Sequence, residues 1–152
     1  MDTITEVRRP TAAFVGAAWL ALFLGTLAYL IGLWNAGMQL NEKGYYLAIL
    51  CYGLFSAVSV QKSVRDRAEE IPVTNLYFGL SWISVTICLV LLAVGLWNAT
   101  LAPSEKGFYS MSYLLSLFAA VAVQKNVRDL SGPVRLSGPE LRSLYKTTSS
   151  QD

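Results

Sequence analysis

The chain has 152 residues, of which 54% are hydrophobic and 14% charged, with a formal net charge of +2 and no histidine. Soluble domains carry about 25% charged residues, so this composition excludes a chain that coats itself for water. The small net charge, with no basic stripe along any helix, excludes a nucleic-acid binder, and the missing histidine removes the commonest general base and transition-metal ligand.

Residues 1–11 form a short N-terminal tail that carries Arg8 and Arg9. Residues 12–34 follow without a charge, 23 in a row. A spanning helix needs about 20 apolar residues, so this run predicts the first transmembrane helix. It is longer than a signal-peptide core and no small-x-small pattern closes it, so a cleaved leader is not predicted. Ala18, Ala21, Gly25, Ala28 and Gly32 recur at spacings of three and four, a pattern that lets membrane helices approach closely. The run ends in GLWNA, residues 32–36. There Trp34 suits the interfacial belt, and Asn35 suits a left-handed helix cap.

NEKG, residues 41–44, reads as the next helix start, with Asn41 as N-cap and Glu42 at the positive end of the helix dipole. Lys43, like Lys106 further on, is placed to pair with a glutamate of the other copy. Residues 45–60 are 16 uncharged positions, slightly under the usual range, and they span if flanking lysines snorkel. The segment closes in VQKSVRD, residues 60–66, which holds Gln61, Lys62, Arg65 and Asp66.

After a linker at 68–75 the pattern returns. Residues 76–97 are 22 uncharged positions ending in a second GLWNA, with Trp97 and Asn98. SEKG supplies Ser104, Glu105 and Lys106. Residues 108–123 are again 16 uncharged positions, closed by VQKNVRD with Gln124, Lys125, Arg128 and Asp129. A polar tail, 131–152, follows. Its stretch 136–146 reads equally as a short helix on an anionic leaflet and as a disordered end. The two cysteines, Cys51 and Cys88, lie inside apolar runs without the clustering that a disulfide framework or a zinc site needs.

Sliding the sequence on itself by 63 residues aligns 14–66 with 77–129 without a gap and with 21 identities. The identities fall mainly in GLWNA, EKG, the QKxVRD ending, the pair Gly16 and Gly79, and the pair Trp19 and Trp82. The chain therefore reads as two copies of a two-helix unit, 12–67 and 76–130. The predicted fold is all-α and integral to the membrane: four transmembrane helices as two parallel tandem hairpins. Of the twelve Lys and Arg, ten fall in the two tails and the charged endings of the two repeats, and only Lys43 and Lys106 on the other side. The positive-inside rule then places both termini in the cytoplasm, with Trp34, Trp97, Tyr45, Tyr46, Phe108 and Tyr109 as an aromatic belt at the outer edge.

With GLWNA, EKG followed by aromatics, and VQKxVRD in both copies, the chain resembles the YiaA/YiaB two-helix domain of bacterial inner-membrane proteins. The resemblance covers both copies and leaves out the tails. It implies a bacterial inner-membrane location and a tandem of the domain, and it implies no activity.

None of the four spans holds Asp, Glu, Lys, Arg, His or Pro, the usual marks of proton relays and broken transporter helices. No enzyme, cofactor or metal is expected. The sequence favours a non-enzymatic protein acting through self-association or contact with another membrane protein, its surroundings being the lipid bilayer. The alternative is a passive channel or small-solute carrier, an oligomer whose pore is lined by Ser81, Ser84, Ser112 and Ser116. In the two endings Lys62 and Lys125 suit the negative ends of their helix dipoles and can pair weakly with Asp66 and Asp129, four residues on. Arg65 and Arg128 supply positive-inside charge. The matching Gln61 and Gln124 and the repeated Arg-Asp order predict a contact between the copies or with a partner.

Overall fold

A computed structural model describes residues 10–131. Arg8, Arg9 and the 136–146 segment lie outside the described residues. Four helices follow one another: α1 (Ala12–Asn35), α2 (Leu40–Ala68), α3 (Asn75–Asn98) and α4 (Pro103–Ser131). All four are long and apolar enough to cross a membrane. The fold is all-α, four transmembrane helices in two tandem hairpins.

α1 and α3 start alike. Thr11 Oγ1 accepts from Phe14 N at 3.3 Å, and Thr74 Oγ1 accepts from Tyr77 N at 3.3 Å, each satisfying one of the unpaired N–H groups of a first turn. The short segments at 45–60 and 108–123 turn out to be the middles of two 29-residue helices. At 1.5 Å per residue such a helix is about 43 Å long, enough to cross the hydrocarbon and carry its charged last two turns beyond it. The apolar count stops where the charges begin, whereas the backbone stays helical through them.

The hairpins are not packed as hairpins. α1 touches α2 only lightly. It lies mainly on α4, α3 lies on α2, and α2 lies on α4. Each outer helix thus leans on the inner helix of the other copy. The core between them is Leu33, Ile49, Leu50, Leu92, Leu96 and Leu117 with Tyr29, Tyr46, Tyr109 and Tyr113. Tyr46 and Tyr109 are 4% and 3% exposed and stack with ring centroids 6.1 Å apart. They belong to the core and not to an outer belt, because each faces the central seam between α2 and α4. The hydroxyls of the two fully buried tyrosines find backbone partners, as buried O–H groups generally do: Tyr29 Oη donates to Tyr46 O at 3.1 Å and Tyr113 Oη to Ile49 O at 3.3 Å.

The loop between α2 and α3 holds one strained residue. Glu70 has φ of 58°. Ile71 N bonds to Asp66 O at 2.8 Å and Glu70 N to Arg67 O at 3.2 Å, the paired bonds of a Schellman cap with its left-handed position filled by Glu.

Candidate functional site

The motifs that both copies share gather at the two ends of the bundle. At the end carrying the two VQKxVRD stretches, Arg65 pairs with Asp129 and Arg128 Nη1 pairs with Asp66 Oδ1 at 2.5 Å. The two pairs are reciprocal, each arginine reaching the aspartate of the other copy. Glu69 joins them: Oε1 is 2.7 Å from Arg65 Nε and Oε2 is 2.7 Å from Arg128 Nη2. Hydrogen bonds from Arg65 and then Arg128 hold the Glu69 carboxyl below the ordinary glutamate value. The repeat has no second such residue, since the position equivalent to Glu69 is Gly132. Arg67 stacks on Phe78, its Cζ 4.0 Å from the ring centroid, and bonds Asn75 Oδ1, tying the start of α3 to the end of α2.

Lys62 and Lys125 are exposed and take no part in the ion pairs of the described residues. Asp66, one turn from Lys62, faces the seam and pairs with Arg128 instead; Asp129 does the same with Arg65. The intrahelical lysine–aspartate pairs read from the sequence are thus replaced by pairs across the copies. Gln61 and Gln124 are partly buried. The one letter that differs between the two stretches, Ser63 against Asn126, is fully buried in both. Ser63 Oγ donates to Val60 O at 3.0 Å. Asn126 Nδ2 and Oδ1 and Gln61 Oε1 have no hydrogen-bond partner among the described residues. Sequence reasoning did not single out Asn126, Glu69 or Tyr113. The signal for Asn126 was available as the single mismatch inside an otherwise repeated motif.

The other end is built from GLWNA and EKG. Trp34 and Trp97 are 83% and 85% exposed, as membrane anchors are. Asn35 Nδ2 donates to Ile31 O at 2.9 Å and Asn98 Nδ2 to Val94 O at 2.8 Å. Both asparagines are the last helical residue, and the following Ala36 and Ala99 are extended, with φ of −64° and −68°. No left-handed cap forms here; the amide side chains bond back to the helix. Lys43 Nζ donates to Trp34 O at 2.9 Å and Lys106 Nζ to Trp97 O at 3.3 Å. The lysines therefore cap the preceding helix, where the dipole favours a cation, and do not pair with glutamates.

Glu42 Oε2 accepts from Gln39 N at 2.9 Å and Glu105 Oε2 from Ala102 N at 2.8 Å. Each glutamate sits at the third helical position and reaches back to the cap, one arm of a capping box. The helices start ahead of Asn41 and Ser104 because Gln39 precedes α2 and Pro103 opens α4, proline being well suited to a first helical position. A cavity of about 550 Å³ opens at this end, with Glu42, Glu105, Asn41, Asn98, Tyr45 and Tyr46 in its wall. A smaller one of about 310 Å³ repeats it on the other side with Glu105, Ser104, Asn35, Phe108 and Tyr109.

The seams themselves are close. A Cβ on Gly32 would lie 2.6 Å from Phe108 Cε1, and one on Gly95 would lie 2.7 Å from Tyr45 Cε1, again a reciprocal pair. The buried serines bond to their own helices: Ser81 to Tyr77 O, Ser112 to Phe108 O and Ser116 to Ser112 O, each at 2.8 Å. Hydroxyls satisfied in this way favour close helix packing over a wet path.

The sequence profile of the yiaA/B two helix domain matches residues 14–66 and again 77–129. The chain is 60% identical to the inner membrane protein YiaA of Escherichia coli (strain K12) over 117 residues, 77% of this chain and 81% of that protein. It is 29% identical to the inner membrane protein YiaB of the same organism over 102 residues, 66% of this chain and 86% of that one. With the membrane protein YubF of Bacillus subtilis (strain 168) it shares 44% identity over 64 residues, 41% of this chain and 74% of the relative. No solved structure matches it. From these matches and the repeated two-helix architecture, the chain is a member of the yiaA/B two helix domain family, with the domain present twice in tandem.

Proposed function

We propose that this is a non-enzymatic protein of a bacterial inner membrane, with both termini in the cytoplasm and the two copies inserted in the same sense, which acts by assembling with other membrane helices. The location follows from the names carried by the relatives YiaA and YiaB, and the orientation from the ten basic residues gathered on one side. Contacts at matching ends of α2 and α4, Tyr46 with Tyr109 and Arg65 with Asp129, support a common sense of insertion.

One observation carries the assembly reading. Gly16 and Gly79 are identical in the two copies, and a Cβ on either would meet nothing within 4 Å. Glycine inside a helix costs about 1 kcal/mol relative to alanine, and the bundle makes no use of the space. Trp19 and Trp82, also repeated, flank them half-exposed. A second helix seated against the glycines uses the close approach they allow. Cross-linking in native membranes tests this. A discrete homo-oligomer is expected, lost in Gly16→Leu/Gly79→Leu while the bundle stays folded. A strictly monomeric parent in both membranes and mild detergent sinks the reading.

The 550 Å³ cavity with both glutamates in its wall favours a second reading, a passive channel or small-solute carrier. Selective flux through liposomes holding the purified protein, abolished by Ser84→Leu, would establish it in place of the first.

A further inference from the structure

The two copies agree at 21 aligned positions, several of them on the faces that meet, but differ at the close contacts made by Gly25 and Gly53. Gly53 of α2 lies under Tyr113 of α4. A Cβ there would overlap the phenol oxygen and come 2.8 Å from the ring carbon that bears it. The ring cannot simply swing aside: it is fully buried and its hydroxyl is held by Ile49 O. Shifted by one repeat, these two positions are Ser116 and Leu50. The larger residue has lost its ring and the glycine has gained a side chain. Gly25 of α1 tells the same story. A Cβ there would lie 2.8 Å from Ser116 Oγ and 3.0 Å from Ser116 N. Its shifted counterparts are Cys88 and Gly53, so again one member of the contact is glycine. The first copy brings Gly25 and Gly53; the second brings Cys88, Ser116 and Tyr113.

We infer that the two copies are recognition partners of opposite kind: the face of the first fits the face of the second, and neither fits its own kind. Two second-copy faces would set Tyr113 and Cys88 both against Ser116, an overpacked seam. Two first-copy faces would set Leu50 and Gly25 both against Gly53 and leave a void. Specificity of this form excludes the wrong partner as well as welcoming the right one. The partner that fits is therefore a second copy of this chain joined first-to-second, whenever hairpins exchange between chains. The inference concerns pairing of the faces and holds whatever the bundle does in the membrane.

The full chain in lipid nanodiscs tests it through Gly53→Ser, Tyr113→Leu and the double variant. Gly53→Ser is expected to lower the apparent melting temperature by roughly 5 °C or more. The double variant places here the serine and leucine found at the equivalent positions 116 and 50 and should recover most of that loss. If Gly53→Ser does not accumulate in membranes, accumulation of the double variant reads the same way. Leu50→Tyr, which places a ring at the position equivalent to Tyr113, should also destabilise, and adding Ser116→Gly should relieve it. A Gly53→Ser protein as stable as the parent, or a double variant no better than Gly53→Ser alone, overturns the inference.

Discussion

Arg65 reaches across to Asp129 of the second copy, and the same contact is made in reverse by Arg128 and Asp66. Reciprocity of this kind, residue i on j and the equivalent of j on the equivalent of i, is the mark of a two-fold relation between surfaces. The side chains are between 12% and 26% exposed, so water screens the pairs only in part. We predict that Arg128→Ala, which strips both Asp66 and Glu69 of a partner, lowers stability by about 1–2 kcal/mol. Exchanging the charges, Arg128→Asp with Asp66→Arg, should restore the share due to Asp66 and leave the share due to Glu69 lost. Reversible unfolding in mixed micelles measures both.

Glu69 gives the cluster a pH dependence. Its carboxyl is held below the ordinary value of 4.5 by the two arginines. A folded-state value lower than the unfolded one contributes stability above the unfolded value and loses it as pH falls through the folded one. Stability should therefore drop as pH falls below 4.5. In Glu69→Gln the part of the drop due to this residue should vanish. Melting curves of parent and variant from pH 6 downward, compared as a difference, isolate the share of this residue.

Glu70 is a place where the protein can be improved. A residue other than glycine in the left-handed region is disfavoured by roughly 1–2 kcal/mol. Glu70→Gly removes that strain and adds some unfolded-chain entropy. A net gain of about 0.5–1 kcal/mol is predicted. A melting temperature below the parent's would show that the Glu70 side chain contributes more than its backbone costs.

Gly95 and Gly16 should respond in opposite ways to the same change. Gly95→Ala meets the ring of Tyr45, whose hydroxyl is fixed to Leu91 O at 2.7 Å, and should cost about 1–3 kcal/mol. Gly16→Ala meets nothing and should leave the bundle unchanged or up to about 1 kcal/mol more stable through helix propensity. Equal effects at both positions would contradict the packing described.

The four helices and the repeat are legible in the sequence because length and identity carry them. Which helix touches which is not. A helix that is apolar all round, like α1 or α3, has no polar face to betray its orientation, so nothing in residues 12–34 points to α4 over α2. Tyr46 illustrates the cost. At the edge of an apolar run, next to Tyr45, it has the position of a belt residue, and only its place on the α2–α4 seam makes it core. Glu42 was misplaced by two residues for a related reason: helix starts are read from good caps such as Asn41, and the true start follows Gln39, a less distinctive residue. The Arg-Asp endings were legible as a repeated motif requiring a partner, yet local spacing pointed to Lys62 and Lys125 as counter-ions. The longer reach across the seam is invisible until the helices are placed.

The crossed arrangement also orders events in time. α1 finishes at Asn35, and the helix it rests on, α4, ends at Ser131. At about 5–20 residues per second a ribosome takes roughly 5–20 s to cover that interval. Once α2 is complete at Ala68 the first hairpin stands for the rest of that interval with Gly25, Gly32 and Gly53 not yet covered by the second. The newborn first half is therefore an open surface awaiting its other half, and the ribosome's pace decides how long any competing helix has to find it.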